Sequence, residues 1–282
     1  MINKQTKFVI VGLGLLGGSY AMGLKKEGYT VYGIARRQET IDYAFQHHMI
    51  DRGSTQVDTL ISEADVVIFG LYPTALIEWI QNYQHLFKPG AIITDVSGVK
   101  SAVVEPIQKL LRKDVEFISA HPMAGRETSG IEHANLEMFK NANYIIVPTP
   151  KNSQAAIDFS YDLAYTLHFN HIAVLSPEEH DHMIGFLSQL THVVAVSLMN
   201  THDNAHFIEY TGDSFRNLTR IAKINENMWT ELFLLNKEAL INQMDIFIKE
   251  FSDFRLLLVN GEDEKIKEKM RLSTKRRKYF DK

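Results

Sequence analysis

Apolar residues fall into two different rhythms along this chain. In residues 1–173, short runs rich in Val and Ile recur at 8–11, 30–34, 65–69, 91–94, 116–119, 144–147 and 172–174. Stretches with helical spacing lie between most of them, at 74–87, 100–111 and 153–167 among others. Several short runs are nearly continuous in apolar residues, the pattern of parallel strands buried on both faces. Lys88-Pro89-Gly90 breaks the chain cleanly before one of them. Strand and helix in alternation predict an α/β fold with a doubly wound sheet.

From Ser176 onward the rhythm becomes helical. Ser176 suits an N-cap, Pro177 the first helical position, and Glu178 and Glu179 the first turn. Met183, Phe186, Leu187, Leu190, Val194 and Leu198 fall near i, i+3, i+4, i+7 spacing. Trp229, Leu232, Phe233, Asn236, Leu240 and Met244 do the same, continuing to Phe247 and Phe251. Two long amphipathic helices with this much apolar surface predict an all-α domain that forms a homodimer through the C-terminal helices. Packing against the first domain alone is the alternative. The expected division is residues 1–173 and 174–282. The tail from Asn260 mixes acids and bases densely and reads as a solvated helix end or frayed terminus.

Composition narrows the function classes. A length of 282 residues suits two domains, and 45% hydrophobic with 23% charged residues is ordinary for a globular protein. The formal net charge of −4 argues against general affinity for nucleic acid or an anionic membrane. The chain has no cysteine, which excludes disulfides, thiolate metal sites and thiol nucleophiles. Residues 1–7 carry no apolar signal core, and no uncharged run is read as membrane-spanning, so a cytoplasmic location is expected.

The first apolar run leads straight into Gly12-Leu13-Gly14-Leu15-Leu16-Gly17 and then a passable helix. A dinucleotide pyrophosphate needs that order. Gly12 allows the tight turn, Gly14 lets the backbone approach the phosphates, and Gly17 lets helix and strand pack closely. The helix N-terminus then offers free N–H groups to the anion. Placed between strand and helix, the motif predicts a Rossmann-type nucleotide-binding domain. Leu13, Leu15 and Leu16 in the turn, and Leu71 after a later strand, join the glycines as candidate cofactor contacts. At the end of the second strand Ala35 stands where an acid would hold the ribose hydroxyl of NAD, and Arg36 and Arg37 follow. Guanidinium forks suit a 2′-phosphate, so NADP is expected over NAD. The alternative is that both arginines are simply solvated and NAD binds.

Three further stretches carry chemistry. Asp95-Val96-Ser97-Gly98-Val99-Lys100 closes one strand, and His121-Pro122-Met123-Ala124-Gly125-Arg126-Glu127-Thr128-Ser129-Gly130 closes another. The helical half carries Ser188-Gln189-Leu190-Thr191-His192, then Phe215-Arg216-Asn217-Leu218-Thr219-Arg220-Ile221-Ala222. In this order, with the nucleotide fingerprint, they resemble the prephenate/arogenate dehydrogenase family of tyrosine biosynthesis over about residues 7–240. The resemblance implies hydride transfer from C4 of a small-molecule cyclohexadienol to NAD(P), with the ring carboxylate lost as CO₂. It makes His121 the catalytic histidine, a base for the 4-hydroxyl proton. Arg220 matches the arginine that holds the ring carboxylate. His192 matches a second substrate-site histidine, and Trp229 an aromatic near the site.

Two positions depart from the family pattern. A serine often stands where this chain has Gly98, its hydroxyl touching the histidine or the substrate. Here the hydroxyl belongs to Ser97, which either reaches in from a shifted backbone or leaves that bond absent. Gln189 stands where a histidine is common, and its amide is expected to contact substrate without titrating. Asn217 beside Arg220 is neutral, which favours prephenate over arogenate, whose ammonium would call for a carboxylate.

The remaining constellations are bland. His180 and His182 point to different sides of a helix, and His202 with His206 lacks a third ligand, so no metal is expected. Glu178 and Asp181 read as acids satisfying a helix dipole. A β-hydroxyacid dehydrogenase would need a lysine in residues 177–200, which contain none. From another class, a cofactor-sensing dimer without catalysis stays open, with Gly98 its only support.

Overall fold

The computed structural model describes residues 2–57, 59–125 and 127–281. They divide into two compact units, Met1–Asn236 and Lys237–Lys282. In the first, six strands build one parallel sheet: β1 (Lys7–Val11), β2 (Thr30–Ile34), β3 (Arg52–Ser54), β4 (Val66–Phe69), β5 (Ile92–Asp95) and β6 (Glu116–Phe117). Their spatial order is β3-β2-β1-β4-β5-β6. Alternate side chains separate two cores. Phe8, Ile10, Val66 and Ile68 pack with Tyr20, Leu24, Phe139 and Tyr144, while Val9, Val11, Val67 and Phe69 pack with Leu76, Ile80, Val103 and Ile107. Both faces of the sheet are therefore covered, which is why its strands read as unbroken apolar runs. The order reverses at β1, and in such sheets the crevice beyond the strands' carboxyl ends is where ligands sit.

The run at 116–119 reads as one strand, and the structure splits it. After β6, the Ile118 N–H donates to the Ile93 carbonyl at 3.0 Å. The chain then becomes β7 (Ser119–Pro122) and leaves the large sheet. β7 pairs antiparallel with β8 (Asn143–Val147), and β8 pairs parallel with β9 (His171–Val174). The last two apolar runs thus join β7 in a separate three-stranded sheet instead of extending the parallel one. The Ser119 hydroxyl donates to Asp95 Oδ1 at 2.5 Å, pinning this bend to the carboxyl end of β5. His121 lies just beyond the pin, opposite Ile145.

Ser176 caps the helix Pro177–Ile184 through a reciprocal capping box with Glu179. A π-helical segment, Gly185–Leu190, continues it into Thr191–Asn200. Over Pro177–Asn200 this helix is long and apolar enough to cross a membrane by length and composition, contrary to the sequence expectation. Its polar face is committed inside the protein, because His180, Asp181 and Gln189 are buried. Met183, Phe186 and Leu187 are exposed. Short helices at Phe207–Tyr210 and Asp213–Thr219 lead to Glu226–Leu235, which ends at a buried Asn236. The periodicity running from Trp229 to Met244 is therefore interrupted, and it belongs to two helices. The second unit consists of Lys237–Asn260 and Asp263–Arg277, joined through Gly261 at a φ of +66° and linked by Lys269 to Glu250 at 2.6 Å. The charged tail is thus mostly helix, with Lys275, Arg276 and Arg277 in its last turn where they suit the dipole.

Candidate active site

The glycine turn at the end of β1 has the shape its sequence promised. Gly12 sits at a φ of +95°, and a Cβ there would lie 2.6 Å from the Gly70 carbonyl. A Cβ on Gly17 would lie 2.0 Å from the Gly12 carbonyl oxygen. A Cβ on Gly14 would meet nothing within 4 Å. Two glycines therefore serve backbone packing, and the third leaves open space at a helix N-terminus. The first intrahelical bond of Leu15–Lys26 is Gly18 N–H to the Gly14 carbonyl at 2.8 Å, so the Leu15 and Leu16 N–H groups ahead of it have no partner within the helix. This cradle fits a dinucleotide pyrophosphate. Leu13 is buried, Leu15 and Leu16 are half-buried, and the Leu71 side chain closes on Gly12. Arg36 and Arg37 are exposed directly after β2, and neither has an ion-pair partner among the described residues.

A buried polar network supports β7 from below. Lys100, fully buried, donates to Asp95 Oδ2 at 2.9 Å and to the Ala120 carbonyl at 2.7 Å. Burial lowers the Lys100 pKa, against the opposing pull of Asp95. Half-buried His121 is next in the chain, and its Nδ1 lies 2.9 Å from His180 Nε2. His180 Nδ1 lies 2.8 Å from Asp181 Oδ1. Asp181 also accepts the Lys100 and Ser101 backbone N–H groups, each at 2.8 Å, and so caps the helix Ser101–Leu110. Asp181, expected to serve its own helix, instead caps one that begins 80 residues earlier. Desolvation, then the neighbouring His180 and Lys100, hold the His121 imidazole well below its usual pKa. Burial also pushes His180 down, outweighing Asp181. Burial raises Asp181, but hydrogen bonds from His180 and Ser101 prevail and keep it below the ordinary carboxylate range. These directions favour two neutral imidazoles on an ionised carboxylate at neutral pH.

The Ser97 hydroxyl is committed elsewhere. It hydrogen-bonds Asp95 and the Val99 carbonyl, the latter at 3.1 Å, with Lys100 Nζ at 3.4 Å. Among the described residues no hydrogen bond joins Ser97 to His121, so of the two possibilities raised by its position the absent bond is the one found. The space beside the histidine belongs to Gly98, where a Cβ would lie 3.9 Å from His121 Cε1 and 3.6 Å from Leu232.

Arg220 reaches the loop after β7 and forms an ion pair with Glu127. His192 stacks on Trp229 with ring centroids 3.7 Å apart, and its Nδ1 bonds the Ser188 carbonyl at 2.8 Å. Desolvation is the main cause holding His192 below its usual pKa; Glu127 and Arg220 bear on it with opposite signs. These four residues form one rim. Gln189 is not part of it. Buried, it donates to the Leu232 carbonyl at 3.0 Å and accepts from Asn236 at 2.8 Å, so it ties two helices together instead of facing a ligand. The sequence gives His180 and Asp181 only bland readings and Lys100 no role of its own, yet all three stand behind His121. The visible signal was Lys100 in the motif that holds Asp95; nothing local marks Asp181 as a cap for a distant helix.

The family model described as prephenate dehydrogenase, nucleotide-binding domain, matches residues 20–168, and that described as prephenate dehydrogenase, dimerization domain, matches 176–272. Prephenate dehydrogenase of Bacillus subtilis is 30% identical, over 94% of this chain and 74% of its own. Cyclohexadienyl dehydrogenase of Zymomonas mobilis is 26% identical, over 95% of this chain and 94% of its own. The crystal structure of prephenate dehydrogenase from A. aeolicus, in complex with hydroxyphenyl propionate and NAD+, gives a TM-score of 0.91 at 27% identity over 100% of both chains.

Proposed function

This chain belongs to the prephenate dehydrogenase family, and we propose that it converts prephenate to 4-hydroxyphenylpyruvate by oxidative decarboxylation with NAD(P). The observation that carries the reading is His121: one ring nitrogen is hydrogen-bonded inward, and the other has no partner among the described residues. A half-buried, neutral imidazole of this kind suits a base for the 4-hydroxyl proton. Gly12, Gly14, Gly17 and the N–H groups of Leu15 and Leu16 would hold the dinucleotide. The nicotinamide, when bound, supplies the hydride acceptor. Arg220 exchanges Glu127 for the ring carboxylate, and His192 with Trp229 borders the rest of the ring. NADP is the favoured cofactor, supported by Arg36 and Arg37, which are exposed where a 2′-phosphate would sit. The active form is a homodimer through the C-terminal helices, supported by the dimerization-domain match over residues 176–272 and by exposed Met183, Phe186 and Leu187.

Glu127 favours a second reading. It is a carboxylate beside Arg220 and His192, so it offers the ammonium of arogenate a partner. Purified protein assayed with prephenate and arogenate, each with NAD and NADP, separates the readings. Fastest reduction with prephenate and NADP is expected. Reduction with arogenate alone makes the second reading correct, and no reduction in any of the four mixtures rejects both.

A further inference from the structure

The two residues behind His121 do more than fill space. Asp181 Oδ1 and Oδ2 accept backbone N–H groups from Lys100 and Ser101, donors that cannot reverse. An ionised carboxylate has only lone pairs, so the contact to His180 Nδ1 at 2.8 Å requires a proton on that nitrogen. A neutral His180 therefore has a bare Nε2. That bare nitrogen lies 2.9 Å from His121 Nδ1, and two bare nitrogens cannot make a hydrogen bond. His121 must carry its proton on Nδ1, which leaves Nε2 free. The tautomer of the base is thus dictated, through two links, by the start of the helix Ser101–Leu110.

We propose that His180 and Asp181 are positioning residues that fix His121 as the Nδ1–H tautomer, and that His180 stores a proton during turnover. The inference rests on the dehydrogenase reading for its second half only. Oxidative decarboxylation of a cyclohexadienol carboxylate to a phenol releases hydride and CO₂ but no net proton, so the hydroxyl proton is borrowed and returned. As the substrate O–H breaks, an N–H forms at His121 Nε2. The His121 Nδ1–H then breaks and an N–H forms at His180 Nε2, placing the imidazolium beside Asp181. The C4–H electron pair has left as hydride, and the electron pair of the bond to the lost carboxylate stays in the ring. The proton then runs back to the phenolate oxygen. A buried store suits this traffic, because no exit to solvent is needed. Besides each other, the groups facing the two imidazoles are Asp181, Lys100 and Asp95.

The test begins with imidazole ¹⁵N NMR of the full-length protein labelled at histidine, with His121→Gln and His180→Gln used for assignment. Protonated Nδ1 and bare Nε2 on both rings are expected at neutral pH. A proton on His121 Nε2 overturns the proposal whether or not the protein has activity. For the second half, His180→Phe should lower kcat about 10²- to 10³-fold, a typical share of general base catalysis, while KM and cofactor affinity stay within about threefold. His180→Gln keeps an acceptor for Nδ1–H and should recover roughly tenfold of that loss. Equal kcat in the two variants, or wild-type kcat in His180→Phe, removes the positioning role. If the wild type shows the expected tautomers but turns over neither prephenate nor arogenate, the dehydrogenase reading fails, and the proton store fails with it, while the tautomer assignment stands.

Discussion

Lys100 and Asp95 form an ion pair at 2.9 Å from which water is wholly excluded, and the same ammonium holds the carbonyl of Ala120, the residue before His121. The pair connects the carboxyl end of the large sheet to the strand that carries the candidate base. Removing one partner strands a buried charge. Lys100→Met should cost ~3–5 kcal/mol of stability, read from denaturant midpoints. Adding Asp95→Asn should recover much of that loss, and an additive double variant would show that the two groups act separately.

The glycines of the nucleotide turn should separate folding from binding. Gly17→Ala places a Cβ 2.0 Å from the Gly12 carbonyl, a clash only backbone movement can relieve. A clear fall in Tm is expected. Gly14→Ala meets nothing within 4 Å, so its stability should stay within about 0.5 kcal/mol of wild type. Dinucleotide titration of the same variant should show weakened binding. Unchanged affinity would mean that the open space is not the pyrophosphate site.

Acid should destabilise the fold earlier than surface carboxylates would dictate. His121 and His180 have folded pKa values below the unfolded value, so the unfolded chain binds protons first. Unfolding free energy therefore falls as pH drops below about 6.5, by up to ~1.4 kcal/mol per pH unit for each histidine. Asp181 acts in the same direction at lower pH, since the stability from its depressed pKa is lost as pH falls through the folded value. Urea unfolding across this range should give a shallower slope in His180→Gln. An unchanged slope would place the acid sensitivity elsewhere.

Much of this was legible in local pattern. The parallel strands, the nucleotide turn and the Ser176-Pro177 helix start are each written in adjacent residues. β3 was not, because Arg52-Gly53-Ser54 has no strand signature and owes its conformation to pairing with Tyr32, Gly33 and Ile34. The break at Asn236 was hidden by continuous helical spacing. Its side chain donates to the Asp181 carbonyl and to Gln189, and those tertiary bonds compensate for ending the helix. Asp181 shows the same limit from the other side. Next to Pro177-Glu178-Glu179 it looks like one more first-turn acid, and only the folded chain brings Ser101 to it.

Arg220 should act on binding. Its pairing with Glu127 leaves the guanidinium largely exposed, available to a carboxylate that replaces Glu127. Arg220→Ala should raise the KM for prephenate by about tenfold to a hundredfold, the worth of a charge-assisted hydrogen bond, with a smaller change in kcat. An unaltered KM would assign Arg220 to the ion pair alone.

Side-by-side turnover of prephenate by the wild type and His121→Asn, at saturating cofactor, probes the base most directly. Asparagine at 121 cannot take the hydroxyl proton, so kcat should drop by about 10²-fold or more while dinucleotide affinity stays unchanged. Turnover at the wild-type rate by His121→Asn is incompatible with His121 as the proton acceptor.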